Sequence, residues 1–380
     1  MSYKLFCVEC GQQQDSSKYS LFCSKCQGLL EAKYDAPAKV SSRVLEGKSG
    51  LGRYVPTLPI NNPANHVTLG EGNTPVYQLR KVGQALGLSD LWGKLEFFSP
   101  TGSFKDRGNA ALVSALKDTG VKAVSEATGG NGGLSFAAYC AAGGVTFHAF
   151  IPDKNRNYLK SQAIAFHGAQ VRWVKGPREE VYEAARKFAE DSGVLHLRYS
   201  KSIYFIEGQK TISYELPGQM NPMPDHIVIP VGNGSIHMGM YRGMKEMLED
   251  GRIKKSPALH AVQAEETSPL VAAYEGKRWT AYEGESKSIA NGITVKNPPR
   301  PSLVAQGCKK TGGRAVGLPD ERIAHWQRFL AASEGLFVEA ASATTIAGVE
   351  KLVKMGVIKP GQRVLAILTG LGIKEPFPHV

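Results

Sequence analysis

From about residue 71 onward, short apolar segments alternate with longer amphipathic ones, and this alternation is the feature that most constrains the fold. The segments that we predict as strands are VKAVSEAT, VTFHAFIP, QVRWVKG, HIVIPVG, ALHAVQAE and RVLAILTG, and helix-like segments separate them. Strands that alternate with helices predict parallel sheets covered on both faces. The sequence therefore predicts an α/β architecture, whose ligands bind at the carboxyl ends of the strands.

The order of these segments predicts three parts. Residues 1–40 form a small cysteine-rich module that ends in the strand-like stretch GLLEAKYD. Residues 102–205 form a smaller α/β domain, inserted into a larger α/β domain that comprises residues 41–101 and 206–380. We expect a parallel or mixed sheet in each α/β domain.

The charge of the chain restricts the classes of partner that it can bind but does not identify one. The formal net charge is +12, but the lysines and arginines are scattered and are not interleaved with aromatic residues as in a nucleic-acid-binding stripe. A basic surface also attracts small anionic substrates. No apolar run approaches the roughly 18–20 residues of a membrane span, and the N-terminus lacks an export signal. We expect a cytoplasmic protein that binds neither nucleic acid nor membrane.

Four cysteines lie in two C-x-x-C pairs near the N-terminus, Cys7 with Cys10 and Cys23 with Cys26. Each pair can place two thiolates on one side of a tight turn, which is the arrangement that tetrahedral zinc requires. A knuckle fold without metal, or four free thiols, is the alternative interpretation. A zinc ion here would be structural, because four cysteine ligands leave no position for a substrate.

Three glycine turns follow predicted strands: EATGGNGGLS, PVGNGSIHMG and LTGLG. Glycine lets backbone N–H groups approach an anion closely, and the start of a helix adds a favourable dipole. The second turn therefore resembles a phosphate cradle, although it is neither a Walker loop nor G-x-G-x-x-G. Taken singly, each turn is weak evidence, because glycine after a strand is often only a turn.

A lysine at the predicted start of a helix makes the combination more specific. Lys105 lies in SPTGSFKDRG, where a positive charge near a helix N-terminus is unfavourable by roughly 0.3–1 kcal/mol. An amine at that place, an asparagine in a glycine turn and a phosphate cradle are the groups that pyridoxal phosphate needs for its aldehyde, its ring hydroxyl and its phosphate. The alternative is an ordinary solvated lysine.

The chain resembles the threonine synthase family, which belongs to the tryptophan-synthase-β-like, fold-type-II pyridoxal phosphate enzymes. The resemblance extends over nearly the whole length and rests on ordered blocks: CVECG with CSKCQGLLEAKYD, GRYVPTLP, LGEGNTPV, SPTGSFKDRG, SFAAYCAAGG, IEGQKTISYEL, IPVGNGS, IANGI, EGLFVEAASATTIAGV and LTGLGIKEP. It implies a fold-type-II enzyme with a zinc-ribbon-like N-terminal module, a lyase of amino-acid biosynthesis that commonly forms a homodimer.

The resemblance also assigns roles to residues of this chain. Lys105 would form the Schiff base with pyridoxal phosphate, with Phe104 beside it; Asn131 would contact the pyridine hydroxyl; and Thr369 would lie by the pyridine nitrogen. The cofactor phosphate would bind to Val231, Gly232, Asn233, Gly234 and Ser235. Residues expected to contact a small anionic amino-acid substrate are Thr128, Gly129, Gly132, Ser135, Lys201 and Phe205.

The implied reaction converts O-phosphohomoserine to threonine and phosphate, by γ-elimination and addition of water at the β carbon, with Lys105 as the base. Three positions depart from the family. Gly129 and Gly132 replace hydroxyl residues beside Asn131, and Phe205 replaces an arginine that would clamp an anion. Either lysines such as Lys160, Lys201 or Lys210 hold the substrate anion, or the substrate differs. The alternative function is β/γ-elimination or replacement on phosphoserine, serine, threonine or a specialised-metabolite precursor.

Two other classes of function fit the sequence less well. A nucleic-acid-binding module is disfavoured because the cysteine-rich segment carries few basic residues. A catalytically inactive homologue is disfavoured because Lys105, Asn131 and the phosphate cradle are all present.

Overall fold

The computed structural model describes residues 3–34 and 44–375. Contacts between residues divide the chain into two compact units. The first comprises the described residues up to Gly72 with Ser99–Thr101 and Lys105–Thr211, and the second comprises Asn73–Phe98, Gly102–Phe104 and the described residues from Ile212. The predicted boundary between residues 40 and 41 lies outside the described residues, and the predicted domain limits stay a prediction.

The strands, in chain order, are β1 (Tyr3–Cys7), β2 (Gln13–Gln14), β3 (Leu30–Tyr34), β4 (Val76–Gln78), β5 (Leu91–Leu95), β6 (Ala123–Ala127), β7 (Thr146–Pro152), β8 (Gln170–Val174), β9 (Leu195–His196), β10 (His226–Pro230), β11 (Ala258–Ala264), β12 (Ala315–Leu318) and β13 (Val364–Leu368). Every apolar segment predicted as a strand is one of them. Each is short, because the buried apolar run ends in a turn.

The α-helices are α1 (Arg80–Leu86), α2 (Lys105–Asp118), α3 (Asn131–Gly143), α4 (Leu159–Phe166), α5 (Arg178–Ser192), α6 (Ile203–Gln209), α7 (Thr211–Gln219), α8 (Ser235–Glu249), α9 (Pro269–Glu275), α10 (Pro301–Thr311), α11 (Asp320–Phe329) and α12 (Ala340–Lys354). Within the described residues, no helix has both the length and the apolar character needed to cross a membrane.

The first unit contains two sheets. A parallel four-stranded sheet has the order β8-β7-β6-β9, and helix α5 packs against β6 and β7. An antiparallel three-stranded sheet, β2-β1-β3, forms the cysteine module and pairs Tyr3 with Tyr34 at one end. The antiparallel sheet needs only turns between its strands, whereas the parallel sheet requires crossover helices.

The second unit contains one six-stranded mixed sheet with the order β12-β11-β10-β13-β5-β4. All neighbours are parallel except β4, which pairs antiparallel with β5 at the edge. Strands β10 and β13 are buried along their whole length, as expected for a sheet covered on both faces. The predicted α/β architecture with a cysteine-rich N-terminal sheet is confirmed.

Helix α2, which begins at Lys105, crosses helix α6 within the first unit at unusually short range. A Cβ added to Gly208 of α6 would overlap the carbonyl oxygen of Arg107, and it would lie 2.9 Å from the Cα of Gly108. A Cβ on Gly108 would lie 2.5 Å from the ring of Phe205. Neither glycine has a positive φ, so both are needed for space. The crossing fixes the first turns of α2 against α6.

We predict that Gly208→Ala destabilises the protein. The added methyl group meets backbone, which cannot rotate away, so the helices must separate; overpacking of this kind costs about 1–3 kcal/mol. The measurement is the free energy of unfolding from denaturant titration. The control is Gly218→Ala, also in a helix, because a Cβ at Gly218 meets no atom within 4 Å. Equal unfolding midpoints for the two variants would contradict the prediction.

Candidate active site

Lys105 is the first residue of α2, and a buried carboxylate holds the turn before it. Asp106 accepts hydrogen bonds from the backbone N–H of Thr101 at 2.7 Å and from its hydroxyl at 2.6 Å. Burial raises the pKa of Asp106 to about 6, against hydrogen bonds from Ser135 and Thr101 that lower it. The small-residue turn SPTGS is thus tied to the helix that it precedes, and the backbone of Lys105 has a defined position.

The glycine turn that contains Asn131 lies after β6 in the same unit. Asn131 begins α3, and the backbone N–H of Thr128 donates to the carbonyl of Phe150 at 3.0 Å. A Cβ at Gly129 would lie 2.9 Å from Cγ2 of Ile151 and 3.3 Å from the hydroxyl of Ser161. The turn is therefore closely packed where the family carries a hydroxyl residue, and Ser135 is buried one turn further along α3.

Gly132 of this turn is bounded on both sides. Its carbonyl oxygen accepts a hydrogen bond from the side-chain amide of Asn109 at 3.2 Å. A Cβ at Gly132 would overlap the hydroxyl of Tyr199 and lie 2.7 Å from Cε1 of that ring. Asn109 belongs to α2, so one hydrogen bond links the lysine helix to the asparagine turn.

Phe205 and two of the candidate lysines, Lys201 and Lys210, each have contacts within the first unit. Phe205 is fully buried, with its ring centroid 5.1 Å from that of Tyr199. Lys210 is also buried and lies 2.7 Å from the carboxylate of Glu207. The ammonium of Lys201 lies 5.2 Å from the ring centroid of Phe22. Lys210 is committed to a structural ion pair, and Lys201 is half-buried beside the cysteine module.

The predicted phosphate cradle lies in the second unit, between β10 and α8. Gly234 has a φ of +86°, which a residue with a side chain rarely adopts, and a Cβ there would lie 2.8 Å from Val304. A Cβ at Gly232 would lie 3.1 Å from the Cα of Ile293. The first N–H groups of α8, which starts at Ser235, have no acceptor within the helix. Bare backbone with N–H donors at a helix start fits a phosphate group.

Val231 and Asn233 complete the cradle segment. The N–H of Val231 donates to the carbonyl of Val262 at 2.9 Å, which extends the pairing of β10 with β11 by one residue. Val231 is buried, whereas Gly232 and Asn233 are half-buried. The chain therefore leaves the sheet at Gly232, which is where the predicted turn begins.

Thr369, also in the second unit, is held by a serine of α12. The hydroxyl oxygen of Ser342 accepts the N–H of Thr369 at 3.0 Å and the N–H of Gly370 at 2.8 Å, and it lies 2.9 Å from Oγ1 of Thr369. A hydroxyl oxygen has two lone pairs and one proton. With both lone pairs accepting, the proton of Ser342 has two acceptors, Oγ1 of Thr369 at 2.9 Å and the carbonyl oxygen of Gly370 at 3.4 Å, and Thr369 is the nearer. The hydroxyl proton of Thr369 can then be donated elsewhere.

Phe104, which precedes Lys105, is hydrogen-bonded to the residue that follows β13. Phe104 donates its N–H to the carbonyl of Thr369 at 3.0 Å, and Ser103 pairs with Gly370 as an isolated antiparallel bridge. These four residues all belong to the second unit. Lys105 therefore follows directly a residue whose backbone is hydrogen-bonded to Thr369.

A family model described as pyridoxal-phosphate dependent enzyme matches residues 67–370, four fifths of the 380-residue chain. The chain belongs to this family. Pyridoxal phosphate is thus its cofactor.

Two relatives identify the branch of the family to which the chain belongs. Threonine synthase of Methanocaldococcus jannaschii is 35% identical over 377 residues, which are 97% of this chain and 92% of that protein. Threonine synthase of a Bacillus species is 36% identical over 330 residues, 87% of this chain and 91% of that protein. The chain is a member of the threonine synthase branch of the family.

The solved structure of the processed form of threonine deaminase isoform 2 from Solanum lycopersicum matches with a TM-score of 0.69 at 20% identity. The match covers 81% of this chain and 85% of that chain. Serine racemase from Dictyostelium discoideum matches with a TM-score of 0.64 at 22% identity, over 78% of this chain and 91% of that chain. At this identity the likeness shows a shared fold, and the predicted fold-type-II architecture is confirmed.

The cysteine module of this pyridoxal phosphate enzyme brings its four predicted ligands together. Cys7 Sγ lies 3.4 Å from Cys26 Sγ, and Cys10 Sγ lies 3.7 Å from Cys23 Sγ and 3.4 Å from Cys26 Sγ. All four sulfur atoms are within 4.8 Å of one another, and none forms a disulfide. Tetrahedral zinc with Zn–S bonds of about 2.3 Å separates its sulfur ligands by roughly 3.8 Å, so the arrangement fits.

The module contacts the segment that contains α6 through four aromatic residues. Tyr19 stacks on Tyr204 with ring centroids 5.2 Å apart, and its hydroxyl lies 3.1 Å from that of Ser202. The hydroxyl of Tyr34 donates to Glu207 at 2.5 Å. The other two contacts are the hydroxyl of Tyr3 with that of Tyr204 and the ring of Phe22 with Lys201. The module thus supports the helix that crosses α2.

Two residues beside the predicted site residues, Ser342 and Tyr199, were not identified from the sequence. Both are distant in sequence from the groups that they contact, and the available signal was a serine near a helix start in EAASATT. Two buried ion pairs are also present: Glu207 pairs with Lys210 in the first unit, and Glu215 lies 2.7 Å from Lys94 in the second.

We predict that Ser342→Ala weakens binding of pyridoxal phosphate to the apoenzyme. The change removes the acceptor of two buried N–H groups and the hydrogen bond that orients the hydroxyl of Thr369, and each unsatisfied buried group costs about 1–3 kcal/mol. Titration of the apoenzyme with cofactor, followed by absorbance, should show a dissociation constant at least about tenfold higher. The control is Thr344→Val, because Thr344 donates its hydroxyl proton to Ala340 of its own helix. Unchanged cofactor affinity in Ser342→Ala would refute the assignment.

Proposed function

We propose that the protein is a carbon–oxygen lyase that converts O-phosphohomoserine and water to threonine and inorganic phosphate. The observation that carries the proposal is the match to threonine synthases at 35% and 36% identity over most of the chain. The residues expected to bind the cofactor, which support the proposal, are Lys105, Asn131, the turn from Gly232 to Ser235, and Thr369. Pyridoxal phosphate, when bound, supplies a ring that withdraws electrons from the α carbon of an amino acid.

Lys105 is proposed to hold the cofactor through its amine and to act as the base of the reaction. It would remove the proton from the α carbon and then one from the β carbon, so that phosphate leaves from the γ carbon. The γ carbon would then gain a proton and become the methyl group, water would add its oxygen to the β carbon, and a proton would return to the α carbon to complete threonine. The half-buried position of Lys105 suits a group that must exchange protons with a bound substrate.

The remaining proposed roles belong to residues that bind. In the first unit, Asn131 would contact the ring hydroxyl of the cofactor, and the turn of Thr128, Gly129 and Gly132 with Ser135 would bind the substrate. In the second unit, Gly232, Asn233, Gly234 and Ser235 would bind the cofactor phosphate. Thr369 would donate its hydroxyl proton to the pyridine nitrogen, because Ser342 already donates to Thr369.

A neutral hydroxyl at the pyridine nitrogen has a chemical consequence. A carboxylate there would keep the nitrogen protonated, whereas a threonine hydroxyl only donates a hydrogen bond. The ring then withdraws electrons less strongly, which favours elimination and replacement at the β and γ carbons. This agrees with a lyase reaction in which phosphate leaves from the γ carbon.

We predict that Lys105→Ala abolishes both the absorbance band of the bound cofactor near the visible edge and the release of phosphate from O-phosphohomoserine. The change removes the amine that binds the cofactor and moves the protons. Phosphate release and threonine formation are measured in parallel. The matched control is Lys117→Ala, an exposed lysine in the last turn of the same helix. Wild-type protein that carries cofactor but releases no phosphate at saturating substrate would exclude the threonine synthase reaction.

A second candidate is elimination or replacement on a different amino acid, such as phosphoserine, serine, threonine or a specialised-metabolite precursor. This candidate is favoured by Phe205, which is buried at the position where the resemblance implies an arginine. A screen that follows phosphate, ammonia and keto acid separately distinguishes the two candidates. Ammonia or keto-acid release without phosphate release would favour the second.

We also propose that Cys7, Cys10, Cys23 and Cys26 bind one structural zinc ion. The N–H groups of Glu9 and Cys10 approach Cys7 Sγ at 3.4 and 3.5 Å, and that of Lys25 approaches Cys23 Sγ at 3.4 Å. Such donors stabilise thiolate ligands of a metal. A homodimer located in the cytoplasm stays a prediction, for which the molar mass in solution by light scattering tests the oligomer.

We predict that the purified protein contains about one zinc ion per chain and that Cys23→Ser reduces the zinc content and the melting temperature together. Loss of a ligand weakens the module, and the module supports α6 through Tyr3, Tyr19 and Tyr34. Elemental analysis and thermal unfolding are the measurements, and Cys140→Ala, which lies outside the module, is the control for zinc content. Wild-type protein refolded with zinc that retains none would contradict the proposal.

A further inference from the structure

Tyr199 is held firmly within the first unit. It begins a short 3-10 turn, Tyr199–Lys201, that follows β9. Its backbone N–H donates to the buried carboxylate of Glu126 at 3.1 Å, and its ring lies 5.1 Å from that of Phe205, centroid to centroid. One contact fixes the main chain and the other fixes the ring. The direction of the hydroxyl is therefore determined by the fold.

That hydroxyl occupies the side-chain space of Gly132. A Cβ added to Gly132 would overlap the Tyr199 hydroxyl and lie 2.7 Å from Cε1 of the ring. Gly132 has no positive φ, so its backbone conformation does not require glycine, and only the space taken by Tyr199 does. Tyr199 thus brings a hydroxyl from another segment to a position where Gly132 carries no side chain.

The Tyr199 hydroxyl has a proton to donate. Among the described residues, no protein group is hydrogen-bonded to the Tyr199 hydroxyl. Burial raises the pKa of Tyr199, and the nearby carboxylate of Glu126 raises it further, so the hydroxyl stays protonated. Beside it, α3 begins at Asn131 and continues for 13 residues, and the N–H groups of its first turn lack acceptors within the helix. A hydroxyl donor beside such a helix start suits an oxyanion.

We propose that the hydroxyl of Tyr199 donates a hydrogen bond to the carboxylate of the amino-acid substrate. This inference rests on the proposed function, in which Asn131 contacts the ring hydroxyl of pyridoxal phosphate. That hydroxyl and the aldehyde are neighbours on the ring, so a group next to Asn131 lies close to the α carbon of a substrate joined there. The carboxylate is attached directly to the α carbon, whereas a γ-phosphate is several bonds further away.

Phe205 takes part by packing, because its ring orients that of Tyr199. Tyr199 and Gly132 therefore determine together how the substrate carboxylate binds. A side chain at position 132 would displace the phenol, and loss of the phenol would leave an empty space beside Asn131. The two positions should behave as a pair under substitution.

The first test measures the dissociation constants of L-threonine and O-phosphohomoserine for the holoenzyme, from the change in absorbance of the bound cofactor. Tyr199→Phe removes only the hydroxyl. A lost hydrogen bond to a charged group should weaken binding of both ligands by about tenfold to a hundredfold, with cofactor content unchanged. Tyr158→Phe is the control, because Tyr158 is an exposed tyrosine of the same unit.

The two ligands separate the possible contacts, because L-threonine has no phosphate. Weaker binding of O-phosphohomoserine alone would assign Tyr199 to the phosphate and overturn the proposal, as would unchanged binding of both. Failure of the proposed function is seen separately, as wild-type holoenzyme that binds L-threonine but releases no phosphate from O-phosphohomoserine.

The second test moves the hydroxyl from position 199 to position 132. Gly132→Ser alone forces the phenol away, and Tyr199→Ala alone removes the donor, so each should weaken binding of L-threonine. The combination Gly132→Ser with Tyr199→Ala has a hydroxyl in the vacated space and should bind L-threonine more tightly than either single variant. Binding as weak as the product of the two single effects, in variants with cooperative thermal unfolding, would overturn the pairing.

Discussion

Helices α2 and α6 meet at two glycines, Gly108 and Gly208, and the position of the lysine helix depends on that contact. The approach is so close that the ring of Phe205 fills the space over one glycine, while the other lies against the carbonyl of Arg107. Because α2 begins at Lys105, the crossing determines the position of the backbone that carries the Lys105 side chain. The cysteine module supports α6 from outside, through Tyr19 and Tyr34. A packing constraint between two helices is thus the basis of the catalytic arrangement in the first unit.

The second unit positions its groups in a different way. There the backbone itself would provide the donors proposed for the phosphate, and Val304 and Ile293 leave little room for side chains at the glycines of the cradle. Ser342 determines the direction of the Thr369 hydroxyl by using up both of its own lone pairs. In the second unit, filled space and hydrogen bonds to Ser342 thus determine the donor directions. In the first unit, the buried carboxylate of Asp106 also contributes, because it holds the turn before Lys105.

The sequence predicted well those features that depend on residues close together in the chain. The glycine turns, the helix that begins at Lys105 and the two cysteine pairs each occupy a short stretch, so local chemistry identifies them. Tyr199 and Ser342 could not be found in this way, since each acts on a residue many positions away. The need for glycine at position 132 also follows from Tyr199, not from the turn that contains it. Glu215 is likewise close to Lys210 in sequence but pairs with Lys94, which is more than a hundred positions away.

The aromatic side chains of the cysteine module determine what loss of the module would expose. Tyr3, Tyr19 and Tyr34 point toward Tyr204 and Glu207 rather than into a core of their own. Deletion of the module would expose both the ring of Tyr204 and the carboxylate of Glu207 on α6. Tyr204 and Glu207 of α6 would then lack these aromatic partners.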